Sequence, residues 1–169
     1  MHQMNRALLT AASLALLAAC GQAMPAPATN PAPAQAQAAD SAAAHGAAVG
    51  FLAAFDSLQW ERFHGYLAED ITMFFPFPQL PRRVDGRDSV GAIFNQYMQE
   101  QRTRRAEAGG PMVQGIAPLD LRIQMAGLDV AIATFHLRTE SPSRRTLVFR
   151  RSGDGWKVVH WHASPAPGS

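Results

Sequence analysis

The stretch RRTLVFRRSGDGWKVVHWHAS, residues 144–164, decides the fold. Two runs rich in β-branched and aromatic residues, Thr146–Phe149 and Trp156–Trp161, flank Ser152, Gly153, Asp154 and Gly155. Such runs around a Gly/Asp turn predict an antiparallel hairpin. Strand side chains alternate between faces. Simple alternation puts Trp156, Val158, His160 and His162 on one face and Lys157, Val159, Trp161 and Ala163 on the other. Both sets include large apolar groups, so the strand is expected to be covered on both sides. It would be the spine of a small α+β domain.

Working back from the hairpin, Val130–Thr139 and Leu119–Met125 read as strands around a turn at Gly127, Leu128 and Asp129. Asp88 or Ser89 is expected to cap a helix running to about Arg105, with Val90, Ile93, Phe94, Tyr97 and Met98 inward. Ile71–Phe75 reads as a strand stopped by Pro76 and Pro78. Before it, Gln59–Leu67 predicts a short helix with Trp60, Phe63 and Leu67 on one face. A longer helix over Ala42–Ser57 would be capped by Asp40 and Ser41. Residues 40–164 are thus expected to form one domain.

The front of the chain has a different character. Arg6 followed by apolar residues 7–19 and Cys20 reads as a targeting segment, with the h-region too short to span a bilayer stably. Leu17, Ala18, Ala19, Cys20 and Gly21 resemble the bacterial lipobox, whose cysteine is lipidated and becomes the new N-terminus. Cys20 is the only cysteine, so no internal disulfide is possible. The resemblance implies a signal peptide over 1–19 and an envelope protein anchored to a bacterial membrane, with the outer membrane preferred because no Asp follows Cys20. Residues 20–39, rich in Ala, Pro and Gln, read as a disordered tether, and 165–169 as a structureless tail. A net charge of +2, from 15 basic and 13 acidic residues, gives no case for nucleic acid.

Several stretches together resemble the SnoaL-like branch of the nuclear transport factor 2-like superfamily. Residues 50–56, GFLAAFD, are similar to its first helix; 70–74, DITMF, to its first strand; and 85–90, DGRDSV, to the turn into its third helix. Residues 127–132, GLDVAI, resemble its recurrent strand entry. The hairpin ending WKVVHWHAS is similar to the association (hub) domain of calcium/calmodulin-dependent kinase II and its bacterial relatives. The resemblance implies a curved, mostly antiparallel sheet wrapped around a cone-shaped pocket closed by about three N-terminal helices.

It also implies a test of chemistry. Ketosteroid isomerases of this superfamily use a tyrosine and a protonated aspartate as an oxyanion hole and a second aspartate as base. On this chain those positions fall on Phe51, Leu147 and Phe75, all hydrocarbon. The arginines with which the hub domain binds small carboxylates fall on His136, Leu147 and Ala163. The expected pocket is therefore apolar: Phe51, Phe55, Trp60, Phe75, Tyr97, Leu147 and Trp161, with His136 as its polar member.

Three functions remain open at this point. The domain could bind a small apolar or aromatic molecule without turning it over. It could be an isomerase, cyclase or hydrolase in which His136 acts as base, oriented by Glu140, Asp70 or Asp120. It could be an assembly module. His160 and His162, with His64 or His45, offer metal-ligand types but no supporting cluster, so no metal is expected. No Gly-rich phosphate loop and no recognisable nucleophile triad occur, so no cofactor is expected. A homodimer is expected through the outer sheet face, here taken to carry Trp156, Val158, His160 and His162. It would weaken as pH falls through about 6.5, and Val158→Arg would then give a folded monomer.

The lipobox reading makes one direct prediction: Cys20→Ser releases the protein from membranes, because the anchor needs acyl chains on that sulfur. Retention of the variant in the membrane pellet after a carbonate wash would overturn it.

Overall fold

The computed structural model describes residues 33–75, 79–80, 83–137 and 143–165, with the side chains of 33 and 34 excepted. The expected signal segment, Cys20 and the tail beyond Pro165 lie outside the described residues, as do Glu140 and Arg138. The elements are α1 (Pro33–Asp56), α2 (Trp60–Gly65), β1 (Leu67–Phe74), β2 (Val84–Asp85), α3 (Arg87–Glu107), β3 (Pro118–Met125), β4 (Val130–Leu137), β5 (Ser143–Ser152) and β6 (Gly155–Pro165).

One six-stranded sheet has the order β2-β1-β6-β5-β4-β3. Only β1 and β6 pair in parallel; the other ladders are antiparallel. The β5–β6 hairpin closes with Ser152 opposite Gly155, as the Gly/Asp turn predicts. It lies at the centre of the sheet, with β1 on one side and β4 on the other. The three helices precede most of the sheet and cover one face of it; α1 packs on β3, β4 and β6, and α3 on β1. The expected α+β class, with a mostly antiparallel sheet and three helices, is what the structure shows.

Register defines the covered face. Met73, Trp161, Leu147, Ala133 and Ile123 stand in one cross-strand row, and Val158, Phe149, Ala131 and Met125 in another. All but the partly buried Ile123 and Met125, which pack against it, belong to a core shared with Ala44, Ala48, Phe51, Leu52 and Phe55 of α1, Phe63 of α2, and Val90, Phe94 and Met98 of α3. Burying each large apolar side chain contributes about 1.5–3 kcal/mol before entropy is counted. The small residues Ala131 and Ala133 lie beneath α1, where a larger side chain would hold the helix off the sheet.

The first correction concerns β6. Val148 pairs with His160 but Phe149 pairs with Val158, so Val159 is an extra residue, a β-bulge. A bulge shifts the alternation by one. Trp156 and Val158 therefore point into the core before it, and Trp161 and Ala163 do so after it. Only His160 and His162 keep the outer position expected of all four residues. An outer patch containing Trp156 and Val158 does not exist.

The second correction is the start of α1. The helix begins at Pro33, so residues 33–39 of the expected tether are helical, and Asp40 sits within the helix instead of capping it. Proline is well suited to a first helical position, since its missing N–H is one that a helix start leaves unpaired anyway. Asp40 forms an ion pair with Arg151, whose guanidinium also lies 4.8 Å from the Trp156 ring centroid. That contact fastens the N-terminal half of α1 to the hairpin.

The end of α1 is fixed differently. Leu58 adopts φ 54 while its side chain is 1 % exposed. This left-handed conformation costs energy for a residue with a Cβ. Arg102 of α3 donates to the Leu58 carbonyl, and the Gln59 N–H donates to Ala54 O at 2.9 Å, so both sides of the turn are held.

Because Val158 is fully buried, Val158→Arg is expected to unfold the domain. An unpaired charge in an apolar core belongs to the most destabilising class of substitution, about 4 kcal/mol or more. Urea denaturation of the variant beside Val148→Arg, which alters the outer face of the neighbouring strand, checks this. Equal midpoints for the two would contradict the register described here.

Candidate functional site: the aromatic interior

The space between helices and sheet is filled by rings. Phe51 of α1 stacks on Phe63 of α2 with centroids 5.0 Å apart, and meets Trp161 of β6 edge-on at 5.3 Å. Phe94 of α3 lies flat on Trp161 at 4.9 Å, with 10° between planes. Phe55 meets Phe94 edge-on at 5.7 Å and Tyr97 in a stack at 5.9 Å. Phe75, just beyond β1, contacts Phe94 at 5.8 Å. Aromatic pairs in such geometries add about 0.5–1.5 kcal/mol each beyond their buried area.

Of the eight residues expected in a pocket, Phe51, Phe55, Leu147 and Trp161 are buried in this cluster. Trp60, Phe75 and Tyr97 stand at its rim, partly covered. Tyr97 Oη donates to Gln114 Oε1 at 2.5 Å, and Gln114 Nε2 donates to Phe55 O at 2.6 Å. Burial pushes the Tyr97 phenol above its usual range, a shift that Arg104 and Arg105 oppose, so the hydroxyl stays neutral.

His136 is the exception and requires correction. Its neighbours Phe135 and Leu137 point into the core, so alternation sends His136 to the outer face, where it is exposed between Leu119 and Arg144. It shares that face with Ile132 and Thr134, as expected, but the face is not the pocket's. Asp70, one of its suggested orienting partners, is exposed and bound to Arg150 through two hydrogen bonds of 2.8 and 3.0 Å. That guanidinium holds the Asp70 carboxyl below its usual range. Asp120 is also exposed, at a kink in β3 with φ 52. Glu140 lies outside the described residues.

Three rings that the expected pocket omitted, Phe63, Phe94 and Phe149, are central to the cluster. Helical spacing marks the first two as inward-facing, and alternation from Leu147 marks the third. The same alternation marks two polar residues, Arg145 and Ser143, as inward-facing. Ser143 is the one polar residue among the buried described residues, and its hydroxyl has no partner there. The Trp161 indole Nε1 is likewise buried without a partner among the described residues.

On the outer face, His160 Nδ1 and Thr72 Oγ1 are 2.6 Å apart, and Phe74 meets both His160 and His162 edge-on. Among the described residues no three His, Cys, Asp or Glu side chains gather as a metal site would require. Two open clefts occur at the surface. One of about 370 Å³ is lined by Arg62, Tyr66, Trp156 and Lys157 among others, and one of about 240 Å³ by Leu52, Asp56 and Ile116 among others. In the first, Lys157 is already engaged by Gly65 O and Asp154.

Helices followed by a six-stranded, mostly antiparallel sheet with this strand order define a nuclear transport factor 2-like fold, and solved structures agree. A candidate dehydratase of that family from Streptomyces avermitilis superimposes with a TM-score of 0.63 at 21% identity, over 77% of this chain and 98% of its own. A protein of the same fold and unknown function from Pseudomonas putida gives 0.60 at 21%, over 75% and 87%. A candidate calcium/calmodulin-dependent protein kinase type II association domain from Thiobacillus denitrificans gives 0.50 at 23%, over 71% and 92%. No curated protein matches the chain. The SnoaL-like domain model matches residues 47–168, and the chain belongs to that family.

The outer face yields a pH prediction. Burial, then the neighbouring charges of His162 and Arg83, lower the His160 pKa from 6.5. The folded state therefore prefers neutral imidazole. The contribution is fully present above 6.5 and is lost as pH falls through the lowered folded value. In an NMR titration His160 is expected to have its midpoint below 6.5. A midpoint at or above 6.5 would contradict the burial described.

Proposed function

We propose that this chain is a lipid-anchored cell-envelope protein whose SnoaL-like domain binds a small apolar or aromatic molecule without turning it over. The observation that carries the reading is the composition of the interior. The positions that would hold an isomerase's proton-transfer groups are Phe51, Phe75 and Leu147, and the buried described residues include no carboxylate and no imidazole. Hydrocarbon cannot move a proton. Stacked rings suit a flat apolar guest, which would have to displace the half-covered Phe75 or Tyr97 to reach them, since the rings fill the interior.

The enzyme reading is weaker on this geometry, because His136 faces away from the rings. The candidate dehydratase among the structural relatives shares the fold at 21% identity, and its activity does not transfer on that basis. A homodimer is the second reading, on a revised surface: Phe74, 39 % exposed, with His160, His162, Val148 and Ile132 on the outer sheet face. Two such faces about a two-fold axis would cover Phe74. Membrane anchoring through Cys20, on the periplasmic face of the outer membrane, rests on the lipobox resemblance.

Native mass spectrometry of the purified protein tests both readings together. A retained small molecule supports ligand binding, and a doubled mass that Val148→Arg reduces to one subunit supports the dimer. A bare monomer that also fails to take up added aromatic compounds would sink both.

A further inference from the structure

Three donor-bearing side chains, two of them without any partner among the described residues, line the inner face at one end of the β5–β6 ladder. Leu147 is paired with Trp161, Arg145 with Ala163, and Ser143 with Pro165. Trp161, Arg145 and Ser143 are therefore successive inward positions, running from the ring cluster towards the ends of the strands. Diagonal neighbours on one face of a sheet are about 7–8 Å apart, within reach of long side chains.

Each donor is short of a partner. The Trp161 indole N–H and the Ser143 hydroxyl are buried with none among the described residues. Arg145 donates 3.1 Å to the main-chain carbonyl of Arg144, and among the described residues no carboxylate pairs with it. Burial lowers the Arg145 pKa from its ordinary value, with no compensating anion, yet a guanidinium stays charged. Its cross-strand neighbours, Phe135 and Ala163, are apolar and buried. Buried donors are normally satisfied, and a half-buried charge even more so. An indole N–H and a guanidinium only donate, and with a hydroxyl beside them they call for a ligand that brings acceptors and negative charge.

We propose that this end of the interior is an anion subsite, and that the aromatic ligand is a flat organic acid. Its carboxylate pairs with Arg145, its ring lies against Phe75 beside the Phe94–Trp161 stack, and the indole N–H takes an oxygen of the ligand. Arg145 occupies none of the positions at which the hub domain carries its arginines. The inference rests on the ligand-binding reading above and narrows it from apolar molecules to apolar acids. No bond is made or broken.

The test uses the full chain with two probes, 2-naphthoate and the neutral 2-naphthalenemethanol, measured by calorimetry. The Trp161 indole signal is followed by NMR and assigned with Trp161→Phe. Wild type is expected to prefer the acid by about tenfold or more, the order expected of a charge-assisted contact in a partly dry site. Arg145→Met should remove that preference, Arg145→Lys should keep part of it, and the Trp161 indole signal should move in wild type. Equal affinity for acid and alcohol, unchanged by Arg145→Met, would overturn the anion subsite while leaving apolar ligand binding standing. Binding of neither probe up to about millimolar would also overturn it; the molecule carried by the purified protein then decides the broader reading separately. Should Arg145→Met not fold, the wild-type preference and the indole shift still decide.

Discussion

The single extra residue at Val159 is the constraint on which the rest of the fold depends. A strand with strict alternation could offer the helices Trp156 and Val158, or Trp161 and Ala163, but not both pairs. The bulge lets β6 present all four to the same side. Trp156 and Val158 meet the hairpin end of the core, near α1 and the Asp40–Arg151 contact. Trp161 meets the ring cluster near α3. Added twist at a bulge also curves a sheet around its contents. One residue of offset thus unites two half-cores, and it sets both histidines on the outside.

Elements were legible in the sequence because they rest on local rules. The Gly/Asp turn gave the hairpin, and apolar spacing in residues 88–105 gave α3. Faces were less legible. Alternation works within a strand only until a bulge intervenes, and nothing in Lys157, Val158, Val159 and His160 announces one: each β-branched residue fits either side. His136 was misplaced for another reason. Its face was identified correctly, but whether that face looks in or out depends on which side of the sheet is covered by α1, some 80 residues earlier in the chain. The start of α1 was missed because residues 33–39 bring no apolar stripe; alanine and glutamine favour a helix there without any packing to reveal it.

The interior combines two chemistries that seldom coexist at rest. Most of it is hydrocarbon at close ring contact, which needs no partner. At one edge the same layer carries an indole N–H and a hydroxyl with no partner among the described residues, and a guanidinium whose one hydrogen bond there is to a neighbouring main-chain carbonyl. The rim is ordered by ordinary means, with Tyr97 and Gln114 tying α3 to the end of α1 through neutral hydrogen bonds. The Tyr97 and Gln114 side chains are satisfied, whereas the Trp161 indole and the Ser143 hydroxyl are not.

The early start of α1 has a consequence of reach. Pro33 lies thirteen residues beyond Cys20. Fully extended, that length spans about 45 Å at most. A folded domain of this size is itself about 30 Å across. Were the sulfur embedded in a bilayer, the domain could stand off by at most about one and a half times its own width. It would sample the thin layer of solvent next to lipid, where sparingly soluble aromatic acids accumulate by partitioning. A weak site there would meet a far higher ligand concentration than the same site free in bulk water.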